Sequence, residues 1–334
     1  MFMLRRAFLG LFAAFAFLAP TAANASPALV FEPYNGTVFY AEDPDTLWFP
    51  ASLTKMMTAY VAFHALRNGE VKPDTPAIVT KNALAEPPTK LGLPVGTSIP
   101  LETAIRVIIV KSANDVAVMV AETVGGSEEA FIDRMNEAAK RLRMTSTQFA
   151  NPHGLPNEQQ YTTARDLARL ARALIIEFPE YADIFKMKSV AVGKRQLRTH
   201  NGLLRTFNGA DGMKTGCICD SGFNIVVSAT RDGRKLVAVV LGEPSTRVRN
   251  ARAAQLLENG FKRYFWKSLF GTSLNGLAQP ADRADKPAHL RAVICGPRPK
   301  RKKTRRSDVT PDLFRLETPV TELADLPALS PAIN

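Results

Sequence analysis

Apolar and polar positions follow two different periods along this chain, and the change of period sketches a fold. Residues 28–41 (ALVFEPYNGTVFYA) are two apolar, β-rich runs around Asn35-Gly36, a pair that closes tight turns, and they predict a β-hairpin. Over 52–67 the spacing becomes helical, with Leu53, Met56, Met57, Tyr60, Val61 and His64 on neighbouring faces, Pro50 ahead and Gly69 behind. Residues 101–110 and 115–124 predict two apolar helices separated by Lys111-Ser112-Ala113-Asn114, and 128–143 and 163–178 predict two amphipathic ones. The strand period returns at 212–219, 223–230 and 236–241, the last two joined across Asp232-Gly233, and 250–266 predicts a closing helix. Strands at both ends with helices between them predict an α+β fold. Its antiparallel sheet is assembled from the two chain ends and flanked by helices, with a mostly helical second lobe.

The two ends of the chain break this pattern. Residues 1–25 read as an export signal: Arg5 and Arg6 precede a short apolar stretch, and Ala23-Asn24-Ala25 suits cleavage before Ser26. The apolar stretch is shorter than the ~20 residues that span a bilayer. Leu4 stands ahead of the arginine pair where a twin-arginine signal prefers Ser or Thr, so ordinary secretion is expected. From about Gly271 prolines recur and apolar periodicity fades, so 271–334 is expected to be a largely disordered tail after a domain covering 26–270.

Composition narrows the class. The 334 residues are 46% hydrophobic and 22% charged, which suits a globular protein rather than a coiled coil or a polytopic membrane protein. The net charge of +12 is uneven, because 298–306 (RPKRKKTRR) holds seven Lys or Arg and no acid. An exported chain does not meet nucleic acid, so this run has two readings: a site for an anionic membrane or wall polymer, or a solvated linker, which fits it at least as well. The three cysteines have no metal-type spacing, and neither a metal nor a cofactor is expected. Cys217 and Cys219 are too close along a strand to bridge each other. Cys219 could pair with Cys295, but free thiols are the expectation.

Three short motifs carry candidate chemistry. Ser52-Leu53-Thr54-Lys55 opens a helix, where positions i and i+3 share a side, so the hydroxyl and the amine can meet. A Ser hydroxyl needs a base beside it, and Lys can serve once burial, a second cation or a helix N-terminus lowers its pKa. Ser112-Ala113-Asn114 lies between two helices, and Lys214-Thr215-Gly216 sits on a strand led in by Asp211-Gly212. Taken singly, each motif reads better as an ordinary cap or an exposed lysine.

In this order the three motifs match the trio of β-lactamases and penicillin-binding proteins. Together with Pro50-Ala51-Ser52-Leu53-Thr54-Lys55-Met56-Met57-Thr58, Asn151-Pro152-His153-Gly154-Leu155 and Asp211-Gly212-Met213-Lys214-Thr215-Gly216, the chain resembles the low-molecular-mass penicillin-binding proteins. More narrowly, it resembles the serine-type D-alanyl-D-alanine carboxypeptidases. The resemblance runs over about 28–266. It leaves out the tail, where many relatives carry a small all-β domain and a membrane-binding helix, neither evident in this sequence.

The resemblance implies a β-lactamase/transpeptidase-like fold and assigns roles. Ser52 is the nucleophile towards a peptidoglycan stem peptide, Lys55 its base, and Ser112 the proton relay. Asn114 holds substrate and Lys55, Lys214 supplies positive potential, and the amides of Ser52 and Cys217 form the oxyanion hole. The substrate carboxylate falls to Thr215 and to Arg249, which stands in the family's spacing from Leu256-Leu257 and Gly260-Phe261; Arg247 is expected to be solvated. β-Lactam antibiotics are the expected inhibitors.

A Ser–His–Asp hydrolase is the rival on His64, His153, His200 and His289, but no Gly-x-Ser-x-Gly elbow exists. A β-lactamase requires a deacylating Glu, and Glu158 lacks its Leu-Asn context. A DD-endopeptidase using the same residues and a catalytically idle wall-binding scaffold complete the alternatives.

Overall fold

The structure is a computed structural model describing residues 26–278 and 285–297. The expected signal at 1–25 and the basic run at 298–306 lie outside the described residues. The hairpin around Asn35-Gly36 forms from β1 (Ala28–Phe31) and β2 (Val38–Glu42). A 3₁₀ turn at Ala51–Leu53 then runs into α1 (Thr54–Arg67). Two short strands, β3 (Pro76–Ile78) and β4 (Ser98–Pro100), pair around α2 (Lys81–Ala85). The helices α3 (Leu101–Val110), α4 (Asn114–Gly125), α5 (Glu128–Arg141) and α6 (Ala164–Glu177) follow. After α7 (Ala182–Lys186) come the hairpin of β5 (Ser189–Val192) and β6 (Arg195–Arg198), then α8 (Leu203–Thr206). The chain returns to strands at β7 (Ala210–Ile218), β8 (Gly222–Arg231) and β9 (Arg234–Glu243), followed by α9 (Thr246–Lys262), α10 (Tyr264–Phe270) and α11 (Arg291–Ile294).

The main sheet is antiparallel with the order β2-β1-β9-β8-β7, so both chain ends build it. Its strands read as continuous apolar runs because both faces are covered. Leu29, Phe31, Val237, Val239 and Leu241 point into the core shared with the helical lobe. Val30, Ile225, Val227, Ala238 and Val240 point the other way, onto Ala253 and Leu257 of α9. Eleven of the fourteen residues of α1 are buried, Lys55 among them, so this helix runs through the middle of the lobe with almost no wet face.

Two sequence expectations change here. The helix expected over 250–266 begins at Thr246, because Ser245 Oγ accepts a hydrogen bond from the Val248 amide and caps it, and it breaks at Arg263 into α9 and α10. The compact unit also takes in described residues past 270, at 271–278 and 285–296. Buried Arg165 explains the first part of this extension. Its guanidinium pairs with Asp45 at 2.6 Å and donates to the carbonyls of Leu274, Leu277 and Ala278, pinning the chain where apolar periodicity had faded.

The second part is a strap. Asp220, in the turn between β7 and β8, accepts from the Arg291 guanidinium and lies 3.2 Å from His289 Nδ1, while its carbonyl accepts from the Leu290 amide. Docked this way, Cys295 meets Cys219, and the two form a disulfide with their Cα atoms 5.6 Å apart. The expectation of free thiols therefore fails for this pair, since a contact between cysteines 76 residues apart leaves no mark in the local pattern. Cys217 remains free and exposed.

Arg165→Met strands the buried Asp45 carboxylate and releases the 274–278 carbonyls. Chemical denaturation of this variant is expected to show a loss of about 3–5 kcal/mol, the range for breaking a buried ion pair from one side.

Candidate active site

The three motifs converge where the start of α1, the α3–α4 corner and β7 meet. Lys55 Nζ lies 3.2 Å from Ser52 Oγ, 2.7 Å from Asn114 Oδ1 and 2.6 Å from the carbonyl oxygen of His153. Lys214 Nζ donates to Ser112 Oγ and to the Thr215 carbonyl, both at 2.9 Å. Both lysines are buried, and water is the usual solvent of an ammonium. Burial, then the charge of Lys214, hold the Lys55 pKa well below its ordinary value. Burial, then Arg249, bring Lys214 down to about 7.

Backbone geometry that ordinary residues resist brings these groups together. Ser112 has φ +63° and Ala51 has φ +49°, both in the left-handed region that side chains disfavour. Ser112 follows the end of α3, its amide donating back to the Val107 carbonyl, and this turn aims its hydroxyl at Lys214. Two glycines let neighbouring backbone approach the Ser52 turn. A Cβ on Gly216 would stand 3.0 Å from the Ser52 nitrogen, so β7 can lie directly against that turn. A Cβ on Gly154, where φ is +89°, would stand 1.9 Å from the Ala51 carbonyl oxygen.

Asn114 is fixed by donating to the Pro87 carbonyl at 2.9 Å, and the adjacent Asp115 carboxylate accepts the amides of Leu91, Gly92 and Val116. The loop over the site is thereby tied to the N-terminus of α4.

A cavity of about 270 Å³ opens beside Ser52 and Ser112, lined also by Thr215, Cys217 and Arg249. Arg249 is buried and held by Asn250 Oδ1, whereas Arg247 is exposed. The structure therefore brings together Ser52, Lys55, Ser112, Asn114, Lys214, Thr215, Cys217 and Arg249. Two features escaped the sequence reading. His200 also lines the cavity, its pKa lowered by burial and by Lys214. The His153 carbonyl is the shortest partner of Lys55; the family-like Asn-Pro-His-Gly segment marked the place but gave no hint that its backbone is what matters.

Apart from His200, the rival catalytic groups point elsewhere. Leu155 N–H donates to His153 Nδ1, so the ring proton sits on Nε2, facing Glu86 at 3.4 Å and not Ser52. Glu158 is exposed, 3.7 Å from His289.

A Ser–Lys pair at the junction of a helical lobe and the edge of a five-stranded antiparallel sheet defines the transpeptidase-like fold of the penicillin-binding proteins. Penicillin-binding protein 5 of Haemophilus influenzae superposes with a TM-score of 0.69 at 33% identity, over 73% of each chain. Penicillin-Binding Protein D2 of Listeria monocytogenes in its cefotaxime-bound form superposes with a TM-score of 0.65 at 28% identity, over 71% of this chain and 97% of that one. The D-alanyl-D-alanine carboxypeptidase family profile matches residues 14–245, and the chain belongs to that family. Among curated relatives, D-alanyl-D-alanine carboxypeptidase DacA of Haemophilus influenzae is 35% identical over 238 residues, which are 69% of this chain but 60% of that protein.

Gly154→Ala places a side chain against the Ala51 carbonyl in a backbone region that resists one. It is expected to lose about 2–3 kcal/mol of stability by denaturation, within the range for strained backbone. Labelling by a fluorescent penicillin should slow at the same time, because the displaced turn carries Ser52.

Proposed function

We propose that the protein is a serine D-Ala-D-Ala carboxypeptidase that removes the terminal D-alanine from peptidoglycan stem pentapeptides. The observation that carries this reading is the buried, pKa-lowered Lys55 amine within hydrogen-bond reach of Ser52 Oγ. Ser52 Oγ attacks the penultimate D-Ala carbonyl while its proton passes to Lys55 Nζ, and the amides of Ser52 and Cys217 take up the developing oxyanion. Ser112, held by Lys214, relays a proton to the departing D-Ala amine, the C–N bond breaks, and an ester on Ser52 remains. Water then attacks this ester with Lys55 as base, releasing the shortened peptide and restoring the Ser52 hydroxyl. Arg249 and Thr215 receive the terminal carboxylate, and its arrival favours the charged form of Lys214.

β-Lactams enter the same cycle and stop at the acyl-enzyme. No carboxylate lines the cavity among the described residues, so nothing there is placed to activate a deacylating water in the way of a class A β-lactamase. The Cys219–Cys295 disulfide is consistent with an oxidising, extracytoplasmic compartment, and with 1–25 acting as an export signal cleaved after Ala25. The basic run at 298–306 is proposed to hold anionic wall polymer or membrane, in a manner that salt weakens.

Intact-mass measurement after incubation with benzylpenicillin should show one stable adduct that maps to Ser52 and disappears in Ser52→Ala. An adduct that survives the substitution would overturn the nucleophile assignment, and penicillin loss without an adduct would indicate a β-lactamase.

The pH profile of acylation tests the lysine pair. Lys55 must be neutral to act, and a charged neighbour favours its neutral form. Lys214→Gln removes that neighbour, so the Lys55 pKa rises and less of the free base is present at a given pH. The acid limb of the acylation rate should therefore move to higher pH in Lys214→Gln, most clearly below about pH 7, where Lys214 carries its charge.

A further inference from the structure

Eleven large hydrophobic side chains are exposed among the described residues, and four of them sit on the seven-residue helix α10. Phe265, Trp266, Leu269 and Phe270 are 62%, 67%, 60% and 79% exposed. At 100° per residue these positions cover a continuous arc of about 140°, so they form one apolar face. Tyr264 points the other way, its ring 5.3 Å from Phe39 of β2 and beneath the Arg234 guanidinium. The helix is thus fastened to the protein by one side and presents its aromatic side outwards.

The charge on the α10 stretch itself has a single sign. Lys262, Arg263 and Lys267 belong to the same stretch, and the sequence holds no acid from 259 to 281. The carboxylates on adjoining elements are occupied, Glu42 of β2 by Arg252. Glu32 is buried and accepts from the Tyr34 and Asn35 amides, and Glu258 pairs with Arg231. Exposed Trp and Phe among lysines and arginines match the interfacial zone of a bilayer, where aromatic rings sit at headgroup depth and cations meet phosphates.

The position in the fold adds a geometric consequence. The helix packs on β2, one edge of the main sheet, while Lys214 and Thr215 lie on β7, the opposite edge. Four strand spacings separate these edges, about 19 Å. A surface held at α10 leaves the Ser52 cavity at the far edge, open to an insoluble polymer on the other side.

We propose that the α10 face docks on the surface of an anionic phospholipid bilayer and seats the catalytic unit with its cavity turned away from the lipid. The test uses residues 26–334, which keep the whole compact unit, with vesicles containing phosphatidylglycerol and with vesicles of phosphatidylcholine alone. Cosedimentation with the anionic vesicles is expected, together with a blue shift of Trp266 emission; Trp48, the other tryptophan, is buried and should stay silent. Replacing Phe265, Trp266, Leu269 and Phe270 together by Ser should lower the vesicle partition coefficient at least about tenfold, since each apolar side chain contributes to insertion. Replacing Lys262, Arg263 and Lys267 by Gln should abolish the preference for anionic lipid. Penicillin labelling at the wild-type rate in both variants would show that the unit still folds.

Three results would overturn the proposal. One is equal vesicle binding by the serine variant, which would shift the role to the basic run. Another is a lipid-independent doubling of mass that the serine variant abolishes, which would make the occupant a second copy. The third is a red shift of Trp266 emission on removal of 298–334, which would mean that the chain's own end covers the face.

Discussion

An amine kept out of water beside a serine is the constraint on which the rest of the structure depends. Lysine in solvent is an ammonium and has no lone pair to offer, so the candidate chemistry requires Lys55 to lie inside the protein. The fold meets this by running α1 through the middle of the helical lobe, where its packed surroundings exclude water over most of its surface. A buried amine still needs partners, and Asn114 and the His153 carbonyl supply them from two further elements. The same surroundings bring in Lys214, whose charge opposes protonation of Lys55 a second time.

Such convergence demands close packing of backbone, and glycine is what permits it. The edge strand β7 and the 151–155 turn approach the Ser52 turn closely enough that a methyl group at Gly216 or Gly154 would crowd or clash. Left-handed backbone at Ala51 and Ser112 aims the two serine hydroxyls, and the strain this implies is held by packing on every side. Farther out, Arg165 and the Asp220 docking site fasten the chain beyond 270 around the same unit, and the disulfide locks the strap beside the β7–β8 turn. The sheet therefore has two working edges, one bearing the cavity and the other bearing the exposed aromatic helix.

Much of this was legible in the order of residues. The hairpin around Asn35-Gly36, the long helices and the three return strands all follow from periodicity, because both the 3.6 and the 2.0 repeats are local properties. The residues of the candidate site were legible for another reason: Ser52-Leu53-Thr54-Lys55, Ser112-Ala113-Asn114 and Lys214-Thr215-Gly216 say little singly, but their order along the chain carries the family resemblance. What escaped was whatever depends on backbone atoms or on distant pairs. The His153 carbonyl is chemically like any other carbonyl, and the Cys219–Cys295 bond joins segments whose local patterns say nothing of each other.

The sequence by itself thus determined the α+β layout and the family resemblance, and through that resemblance it named the candidate site residues, since each is written in local periodicity or in a set of motifs. Only the tertiary structure decided that Lys55 is dry, that the described residues after 284 strap onto the β7–β8 turn, and that the aromatic face of α10 stands in solvent. These are consequences of burial and of contacts between residues far apart in the chain. Burial belongs to a position in three dimensions, and no window of sequence contains it.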